Sequence, residues 1–323
     1  MTNAIEADGL RKTFGETCAL DGLNLTIPGG SVYGLLGPNG AGKTTAIRVL
    51  TTLLKPSAGL ARVLGLDVVR DAALVRQKVS LTGQYASVDE DLTGHENLVL
   101  ISRLLGMGWA EARRRASELL GVFGLTEAAS RQVRTFSGGM RRRIDIAASL
   151  VTRPEILFLD EPTTGLDPRS RNQVWELVRQ IAAEGTTVLL TTQYLEEADR
   201  LAERMAVIDH GRVIAEGTSH ELKSSIGGNA LRFQLARPEQ HAEASALVAS
   251  VLGDGVLPGS EPATITAKVR DATAASDVLS ALCRANIQLT EFSLGAPSLD
   301  DVFFTLTGHP AEQPAAGKQE VLP

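Results

Sequence analysis

Long apolar runs are missing from this chain of 323 residues. No stretch reaches the roughly 18 consecutive apolar residues that a membrane-spanning helix needs, so any role at a membrane would require a partner. The opening residues, Met1-Thr2-Asn3-Ala4-Ile5-Glu6, also lack the basic-then-apolar pattern of a secretory signal. We therefore expect the chain to stay in the cytoplasm.

Cysteine and positive charge are scarce as well. Cys18 and Cys283 are too few for a disulfide framework and are not spaced as metal ligands, so we expect both to be small buried side chains. The net charge of −6 argues against a nucleic-acid-binding protein, whose basic surface would dominate its composition. Two arginine runs, at 113–115 and 141–143, are predicted to be solvated helix faces. The alternatives are contact of these arginines with phosphate or nucleic acid, or with a membrane partner.

Strand and helix patterns alternate along the first two thirds of the chain, which predicts an α/β core with a helical insertion. Short apolar segments predict strands at 24–27 (an edge strand), 31–36, 156–159, 187–190, 205–208 and 213–215. Helical spacing predicts helices from Lys43 onward, within 92–120, and at 169–183 and 195–203. The helical pattern at 92–120 interrupts the strand–helix alternation and marks the insertion.

The strongest local signal is the run Gly37-Pro38-Asn39-Gly40-Ala41-Gly42-Lys43-Thr44, which matches the phosphate-loop pattern G-x-x-x-x-G-K-[ST]. Its glycines let backbone N–H groups point at phosphate oxygens, and the following helix adds its positive end. Lys43 would neutralise the β- and γ-phosphates, and Thr44 would ligate Mg²⁺. Thr45 completes the predicted nucleotide-binding set. An ordinary glycine-rich turn is the alternative.

A second signal is the apolar strand that ends in two carboxylates, Ile156-Leu157-Phe158-Leu159-Asp160-Glu161. In an α/β sheet such a strand delivers its last residues beside the phosphate loop. Asp160 would hold the Mg²⁺ shell, and Glu161 would orient or deprotonate the attacking water. Because many strands end in acidic residues, this pattern indicates a catalytic site only in combination with the phosphate loop.

A third run, Phe136-Ser137-Gly138-Gly139-Met140-Arg141, resembles the signature motif of ABC ATPases, usually written L-S-G-G-Q. The run also precedes the acidic strand, in the order found in that family. The resemblance implies that Ser137, Gly138 and Gly139 act in trans, capping the γ-phosphate of an ATP held by the other subunit of a head-to-tail homodimer. Phe136 and Met140 differ from the usual motif residues, but neither change removes the hydroxyl or the N–H groups that contact phosphate in the family. Taken alone, Ser-Gly-Gly is equally well a helix cap.

Three further positions match the same family. Phe14 falls where the family places an aromatic ring against adenine, although a lone Phe is often a core residue. Gln84 matches a loop that touches Mg²⁺ and couples to the membrane partner. Asp167, in Gly165-Leu166-Asp167, matches a loop that crosses the dimer interface. Without this frame, Gln84 and Asp167 would be ordinary surface polar residues.

One position departs from the family pattern. Where the family usually has a switch histidine, this chain has Gln193, in Thr191-Thr192-Gln193-Tyr194. The Gln193 amide can donate a hydrogen bond to a γ-phosphate, but it cannot carry a proton near neutral pH. We therefore assign Gln193 a catalytic role without proton transfer and expect Glu161 to carry more of the water activation.

The sequences of several segments resemble those of a narrower group, the daunorubicin/doxorubicin resistance ATP-binding proteins of actinobacteria. These runs lie at 82–89, 137–143, 191–194, 208–218 and 298–303, so the resemblance covers nearly the whole chain. It implies an exporter built from two copies of this subunit and two of a separate transmembrane permease, peripheral on the cytoplasmic side of the cell membrane. The implied cofactors are ATP and Mg²⁺, and the implied cargo is a hydrophobic antibiotic.

The predicted fold is α/β: a P-loop ABC-type nucleotide-binding domain with a helical insertion, plus a small C-terminal α/β domain. We place the first domain at 5–223, its insertion at about 88–140, the C-terminal domain at 230–307, and a disordered tail at 308–323. The C-terminal domain would stabilise the dimer or assemble with the permease. Its residues Leu299, Val302, Phe303 and Leu306 recur at helical spacing, which favours a core stripe over a docking stripe.

Two other functions compete with export. A soluble ABC ATPase acting on ribosomes or DNA would usually carry two ATPase units or a long coiled coil, and this chain shows neither. A regulatory module with little catalysis is suggested by Gln193, but Lys43, Asp160, Glu161 and Ser137 are all present. If the chain belongs to an exporter, a lipid, a polysaccharide or a peptide is an alternative cargo.

Overall fold

The structure, a computed structural model, describes residues 3–83, 87–225, 229–253, 256–257 and 263–307. The chain divides into two compact units, the first ending at Ile214 and the second beginning at Ala215. The sequence-based domain bounds stay predictions. The tail predicted at 308–323 and the site residue Gln84 lie outside the described residues.

Two sheets organise the first unit. The strands, in chain order, are β1 (Asn3–Phe14), β2 (Thr17–Pro28), β3 (Val32–Leu36), β4 (Ala58–Val63), β5 (Leu66–Asp67), β6 (Val79–Thr82), β7 (Ile156–Asp160), β8 (Thr187–Thr192), β9 (Arg204–Asp209) and β10 (Arg212–Gly217). One sheet has the order β10-β9-β3-β8-β7-β6, and its pairs from β9 through β6 are parallel. The carboxyl ends of β3, β7 and β8 therefore meet at one edge, where ligands of α/β sheets bind.

The other sheet has the order β2-β1-β4-β5. Strand β2 lies at its edge, as predicted, but begins seven residues earlier than the sequence pattern indicated. The pairing of β1 with β2 contains several register shifts. These irregularities break the strict alternation of apolar and polar residues, which explains why the sequence pattern did not reveal β1.

The first unit has helices at every predicted position, with one division, and a further helix at 72–78 that was not predicted. They are α1 (Lys43–Leu50), α2 (Ala72–Lys78), α3 (Gly94–Leu104), α4 (Trp109–Val122), α5 (Gly138–Ser149), α6 (Pro168–Ala183) and α7 (Leu195–Leu201). The helical stretch at 92–120 is two helices, because Gly106 adopts a left-handed φ of +92° and Gly108 caps the start of α4. The predicted insertion therefore contains α3 and α4, joined by a glycine turn.

Strand β7 separates two hydrophobic cores. Its alternate residues point to opposite faces of the sheet, so Leu157 and Leu159 join a core with the helices of the insertion. Ile156 and Phe158 join a second core, formed with the antiparallel sheet and α1. Packing on both faces fixes the strand, and with it the position of Asp160 at its end.

The second unit is a small α/β domain built on the sheet order β12-β13-β11-β14. Its elements are α8 (Ser219–Ser225), β11 (Asn229–Leu235), α9 (His241–Leu252), β12 (Val256–Leu257), β13 (Thr264–Val269), α10 (Ala272–Arg284), β14 (Leu289–Gly295) and α11 (Leu299–Thr307). Its core contains Phe233, Val248 and Val278, one from a strand and two from the covering helices. Leu299, Val302 and Phe303 of α11 are buried, which confirms the core interpretation for these three residues, whereas Leu306 is 39% exposed.

The expectation that both cysteines are buried is wrong, since Cys18 and Cys283 are exposed. Cys18 lies on the edge strand β2 and Cys283 in the last turn of α10, and both positions face away from a core. Among the helices of the described residues, none is long and apolar enough to cross a bilayer.

Candidate active site

The phosphate-loop residues join β3 to α1, as predicted. A Cβ atom added at Gly37 would lie 2.3 Å from the Ile208 carbonyl oxygen, and one at Gly42 would lie 2.4 Å from that of Ala19. Neither position can hold a side chain at such distances. Gly42 also has a φ of 106° and directly precedes the first residue of α1, so its left-handed conformation turns the loop into the helix. The free N–H groups of that first helical turn attract anions.

Lys43 is buried within this loop, with 4% of its side chain exposed. Its Nζ donates to the carbonyl oxygens of Gly37 at 2.7 Å and Pro38 at 3.0 Å. The same nitrogen lies 3.7 Å from the carboxylate of Glu161. The ammonium group is therefore held between the loop backbone and the end of β7, where it can neutralise phosphate charge.

Asp160 brings together side chains from three elements. Its Oδ1 accepts hydrogen bonds from Thr44 Oγ1 at 3.2 Å and from Thr191 Oγ1 at 2.6 Å. Carboxylate and hydroxyl oxygens are the hard ligands that Mg²⁺ prefers, so Thr44 and Asp160 fit a magnesium ion in their chemistry. Thr191, at the end of β8, was not singled out from the sequence.

Glu161 stands in a strained backbone conformation, with a φ of +50° that few residues other than glycine adopt. Its N–H donates to the carbonyl oxygen of Thr191 at 3.1 Å and lies 3.2 Å from Thr191 Oγ1. Its Oε2 accepts from Thr164 Oγ1 at 3.3 Å. Strain of this kind concentrates at functional sites, which agrees with the predicted catalytic role of Glu161.

Gln193 follows β8 and is 9% exposed. Among the described residues, no donor hydrogen-bonds to its buried Oε1. Because an unpaired buried carbonyl is costly, the amide suits a polar ligand that would supply the missing hydrogen bond. A water molecule that attacks a phosphate is such a ligand.

A cavity of about 560 Å³ connects several of the predicted residues. Asn39 of the phosphate loop, Glu161, Gln193 and Gly138 of the signature-like run all line it. The structure thus brings together the ends of β3, β7 and β8 with the start of α5. Phe14 is not among the residues that line this cavity; it lies at the end of β1 and is 48% exposed. The centre of its ring is 5.1 Å from Lys12 Nζ.

The signature-like residues and Asp167 lie at the starts of two helices. Ser137 caps α5, with its hydroxyl accepting from the Met140 N–H at 3.3 Å. Asp167 caps α6 in the same way and accepts from Ser170 N at 3.0 Å and Ser170 Oγ at 2.6 Å. The Ser170 hydroxyl lowers the pKa of Asp167 below its usual value. A Cβ at Gly139 would lie 2.3 Å from Ser170 Oγ, so the two helix starts are in direct contact.

The prediction that the arginines at 141–143 form a solvated helix face is wrong for Arg142. Its side chain is 11% exposed and donates to the carbonyl oxygens of Pro162 and Gly83 at 2.8 Å each, and to that of Asp160 at 3.3 Å. The signal was present in the sequence, since Asp145 stands alone in an otherwise apolar stretch three residues after Arg142. A lone acid at that spacing indicates a buried ion pair on one helix face.

Glu197 is a further buried group that the sequence did not single out. Its Oε1 accepts from Thr163 Oγ1 at 2.9 Å and from Trp175 Nε1 at 3.1 Å. Burial raises the pKa of Glu197, and these donors offset part of the increase. Because Thr163 belongs to the turn after Glu161, the hydrogen bond from Thr163 to Glu197 helps to fix that turn.

Two family models match the chain. The ABC transporter model matches residues 20–164, and the model of the C-terminal domain of ATP-binding proteins like DrrA1-3 matches residues 217–307. The first match contains the phosphate loop, the signature-like run and the acidic strand end. The second covers most of the described part of the second unit.

Similar proteins come from several bacteria. The chain is 58% identical to the daunorubicin/doxorubicin resistance ATP-binding protein DrrA of Streptomyces peucetius over 96% of this chain and 94% of that protein. It is 44% identical to the Nod factor export ATP-binding protein I of Ralstonia nicotianae over 68% of this chain and 69% of that protein. Among solved structures, a dimeric ATP-binding cassette in a post-hydrolysis state with ADP and Pi is 28% identical, with a TM-score of 0.61, and covers 66% of this chain and 98% of that chain.

Proposed function

Because the chain belongs to the ATP-hydrolysing subunits of ABC transporters and is 58% identical to a drug-resistance protein among them, we propose that it powers the export of hydrophobic drugs. The observation that carries its part in hydrolysis is the group at the strand ends. Lys43, Asp160 and Glu161 lie within contact of one another or of one shared partner. The proposed cargo is inferred from the relatives, because the drug-resistance protein of Streptomyces peucetius matches this chain along nearly its whole length.

ATP would bind with its phosphates on the loop that follows β3. Lys43 and the first N–H groups of α1 would neutralise the β- and γ-phosphates, and the exposed ring of Phe14 would stack on adenine. Thr44 and Asp160 would hold Mg²⁺, with Gln84 as a further predicted ligand. Once bound, the ion would neutralise charge on the phosphate oxygens.

Hydrolysis would then use the strained carboxylate. Glu161 would accept a proton from water as the water oxygen forms a bond to the γ-phosphorus and the bond to the ADP oxygen breaks. Gln193 would orient the same water or the γ-phosphate through its amide. Since Gln193 does not titrate, Glu161 is the proton acceptor of this proposal.

ATP-binding subunits of this family dimerise and work with separate membrane subunits. For this chain we propose a head-to-tail homodimer, in which Ser137, Gly138, Gly139 and Asp167 of one copy complete the site of the other. Closure on two ATP molecules would drive an inward- to outward-facing change in a separate permease. The subunit would then sit on the cytoplasmic side of the membrane, attached through that permease.

The experiment is drug-stimulated ATP hydrolysis in membranes that contain this chain and the membrane protein encoded next to it. Glu161→Gln serves as the inactive control. Hydrolysis that rises with an anthracycline and disappears in the control supports drug export. Hydrolysis that disappears in the control but does not change when drugs are added supports a transporter ATPase with another cargo, such as a lipid, polysaccharide or peptide. Hydrolysis no higher than in the control points to a regulatory module.

A further inference from the structure

The side chain of Arg142 reaches the backbone on both sides of Glu161. Its Nη2 donates to the Asp160 carbonyl at 3.3 Å, and its Nε donates to the Pro162 carbonyl at 2.8 Å. Only 11% of the side chain is exposed, so water competes little for these hydrogen bonds. Arg142 therefore holds the residues before and after the catalytic carboxylate from one side.

The peptide unit between Asp160 and Glu161 is held from its other side by β8. The carbonyl end of this unit accepts from Arg142, and the N–H end donates to the Thr191 carbonyl at 3.1 Å. A φ of +50° at a glutamate persists only where the surroundings impose it. These bonds at both ends of one peptide unit supply that constraint.

A second set of contacts ties the same arginine to the end of β6. Arg142 Nη1 donates to the Gly83 carbonyl at 2.8 Å and to Asp145 Oδ2 at 3.3 Å. The other carboxylate oxygen, Asp145 Oδ1, accepts from the N–H of Ser87 at 2.8 Å and from its hydroxyl at 2.5 Å. Asp145 is 2% exposed. One buried ion pair on α5 thus contacts Gly83, Ser87 and the backbone beside Glu161.

We propose that Arg142 is a positioning residue for Glu161, and that Asp145 aligns it while linking it to Gly83 and Ser87. This inference rests on the proposed role of Glu161 in water activation. Through these contacts a displacement of the chain at the end of β6 would move the peptide units on either side of the catalytic carboxylate.

The chemistry of these contacts requires an arginine. The guanidinium is a planar fork of five N–H donors, so one side chain can serve carbonyls that lie in different directions. A lysine would keep the positive charge beside Asp145 but offers a single nitrogen. Lysine therefore cannot hold Gly83, Asp160 and Pro162 together in the same way.

Arg142→Lys separates positioning from folding and from nucleotide binding. The matched control is Arg115→Gln. Arg115 is 13% exposed and donates to the carbonyls of Leu150 at 2.6 Å and Val151 at 3.2 Å, so it resembles Arg142 in burial and bonding but is bonded to the far end of α5. Turnover of ATP, its KM and the thermal midpoint are measured for the wild-type chain and both variants.

We expect Arg142→Lys to lower kcat by about 10- to 100-fold, the cost of a misplaced catalytic group, with KM changed by less than about threefold. Arg115→Gln should keep the wild-type kcat even if both variants lose the same amount of thermal stability. A wild-type kcat in Arg142→Lys, or an equal loss of kcat in the control, would overturn the inference. Should Arg142→Lys fail to fold, Asp145→Asn undergoes the same measurement, because it keeps the size of the side chain but removes the negative charge and one of the two acceptor oxygens.

A double variant tests whether Arg142 acts through Glu161. In single-turnover measurements, adding Arg142→Lys to Glu161→Gln should lower the residual rate by less than about twofold. A further loss as large as in the wild-type background would mean that Arg142 acts independently of Glu161. If the wild-type chain hydrolysed no more ATP than Glu161→Gln, the proposed function itself would fail, which is a different result from either of these.

Discussion

Two groups of predicted site residues are held in different ways. The buried group, Lys43, Asp160, Glu161 and Gln193, is at most 10% exposed, and its first three members are hydrogen-bonded or ion-paired to one another or to Thr191. The exposed group, Ser137, Gly138 and Asp167, lies at the surface, whereas Gly139 of the same run is buried. Within the described ranges, the hydroxyl of Ser137 and the carboxylate of Asp167 bond to the first turns of their own helices.

The difference separates what one chain can do from what two chains do. The geometry of the buried group is set by the two cores on either side of β7, so we expect a single chain to be able to bind phosphate there. The exposed group lies outside both cores, and its three residues are open to solvent. That exposure suits a surface that completes a site on another copy, as the proposed homodimer requires.

The largest effect is expected in the buried group. Lys43→Ala removes a buried ammonium that lies 3.7 Å from Glu161, so we expect hydrolysis to fall by at least about 100-fold and nucleotide affinity of the single chain to fall as well. Lys78→Ala is the control, since Lys78 forms a surface pair with Glu155 that contributes little. Nucleotide titration and phosphate release report both quantities. A wild-type nucleotide affinity in Lys43→Ala would contradict a phosphate-binding role for the buried group.

A smaller loss of a different kind is expected in the exposed group. Ser137→Ala should lower hydrolysis by about tenfold through the loss of a phosphate-contacting hydroxyl, while the affinity of the single chain for nucleotide stays unchanged. The lost helix cap costs about 1 kcal/mol of stability. Thr93→Ala removes an equivalent cap from α3 and corrects for that cost. If Ser137→Ala weakened binding to the single chain, the two groups would not be distinct.

Gln193 differs from the other members of the buried group because its side chain cannot gain or lose a proton near neutral pH. Gln193→His should raise turnover roughly two- to fivefold and add a pH-dependent limb near pH 6.5, where histidine titrates. The pH profile of ATP hydrolysis with the permease present tests this. Unchanged turnover and coupling would mean that the glutamine does not limit the rate.

The smallest effect on turnover is expected at Glu197, beneath the buried group. Burial raises its pKa above the usual 4.5, so the folded chain holds this proton more tightly than the unfolded chain. Its stabilising contribution is complete below pH 4.5 and is lost as pH rises through the folded pKa. Glu197→Gln, which stays neutral, should therefore gain stability relative to the wild type by up to ~1.4 kcal/mol per pH unit in that window. A constant difference in denaturant unfolding from pH 4 to pH 8 would contradict this.

The motifs that depend on local chain chemistry could be read from the sequence. The phosphate loop follows from the glycines that the close contacts at Gly37 and Gly42 demand, and β7 follows from an apolar run buried on both faces. The register-shifted strand β1 was not readable, because its pairing breaks the alternation of side chains. The exposure of Cys18 likewise depends on which strand ends up at the edge of a sheet.

Contacts between distant segments were the least predictable. Arg142 meets Gly83 and Pro162 only after α5 packs against β6 and β7, so its run resembled any charged helix face. Thr191 and Glu197 join the site for the same reason, each supporting a residue of a neighbouring element. Local spacing records such partners only where an unusual residue, such as Asp145 among apolar neighbours, marks the position.

The most direct test of the central claim mixes two inactive variants. Lys43→Ala disables the buried group, and Gly138→Asp places a negative charge in the exposed group, where a Cβ meets only ordinary contact, with Leu166 at 3.7 Å. In a head-to-tail dimer, random pairing of the two variants restores one intact site in every mixed dimer, or roughly a quarter of wild-type sites. We therefore expect ATP hydrolysis to recover to about that fraction on mixing. A rate equal to the mean of the two variants measured separately would contradict it.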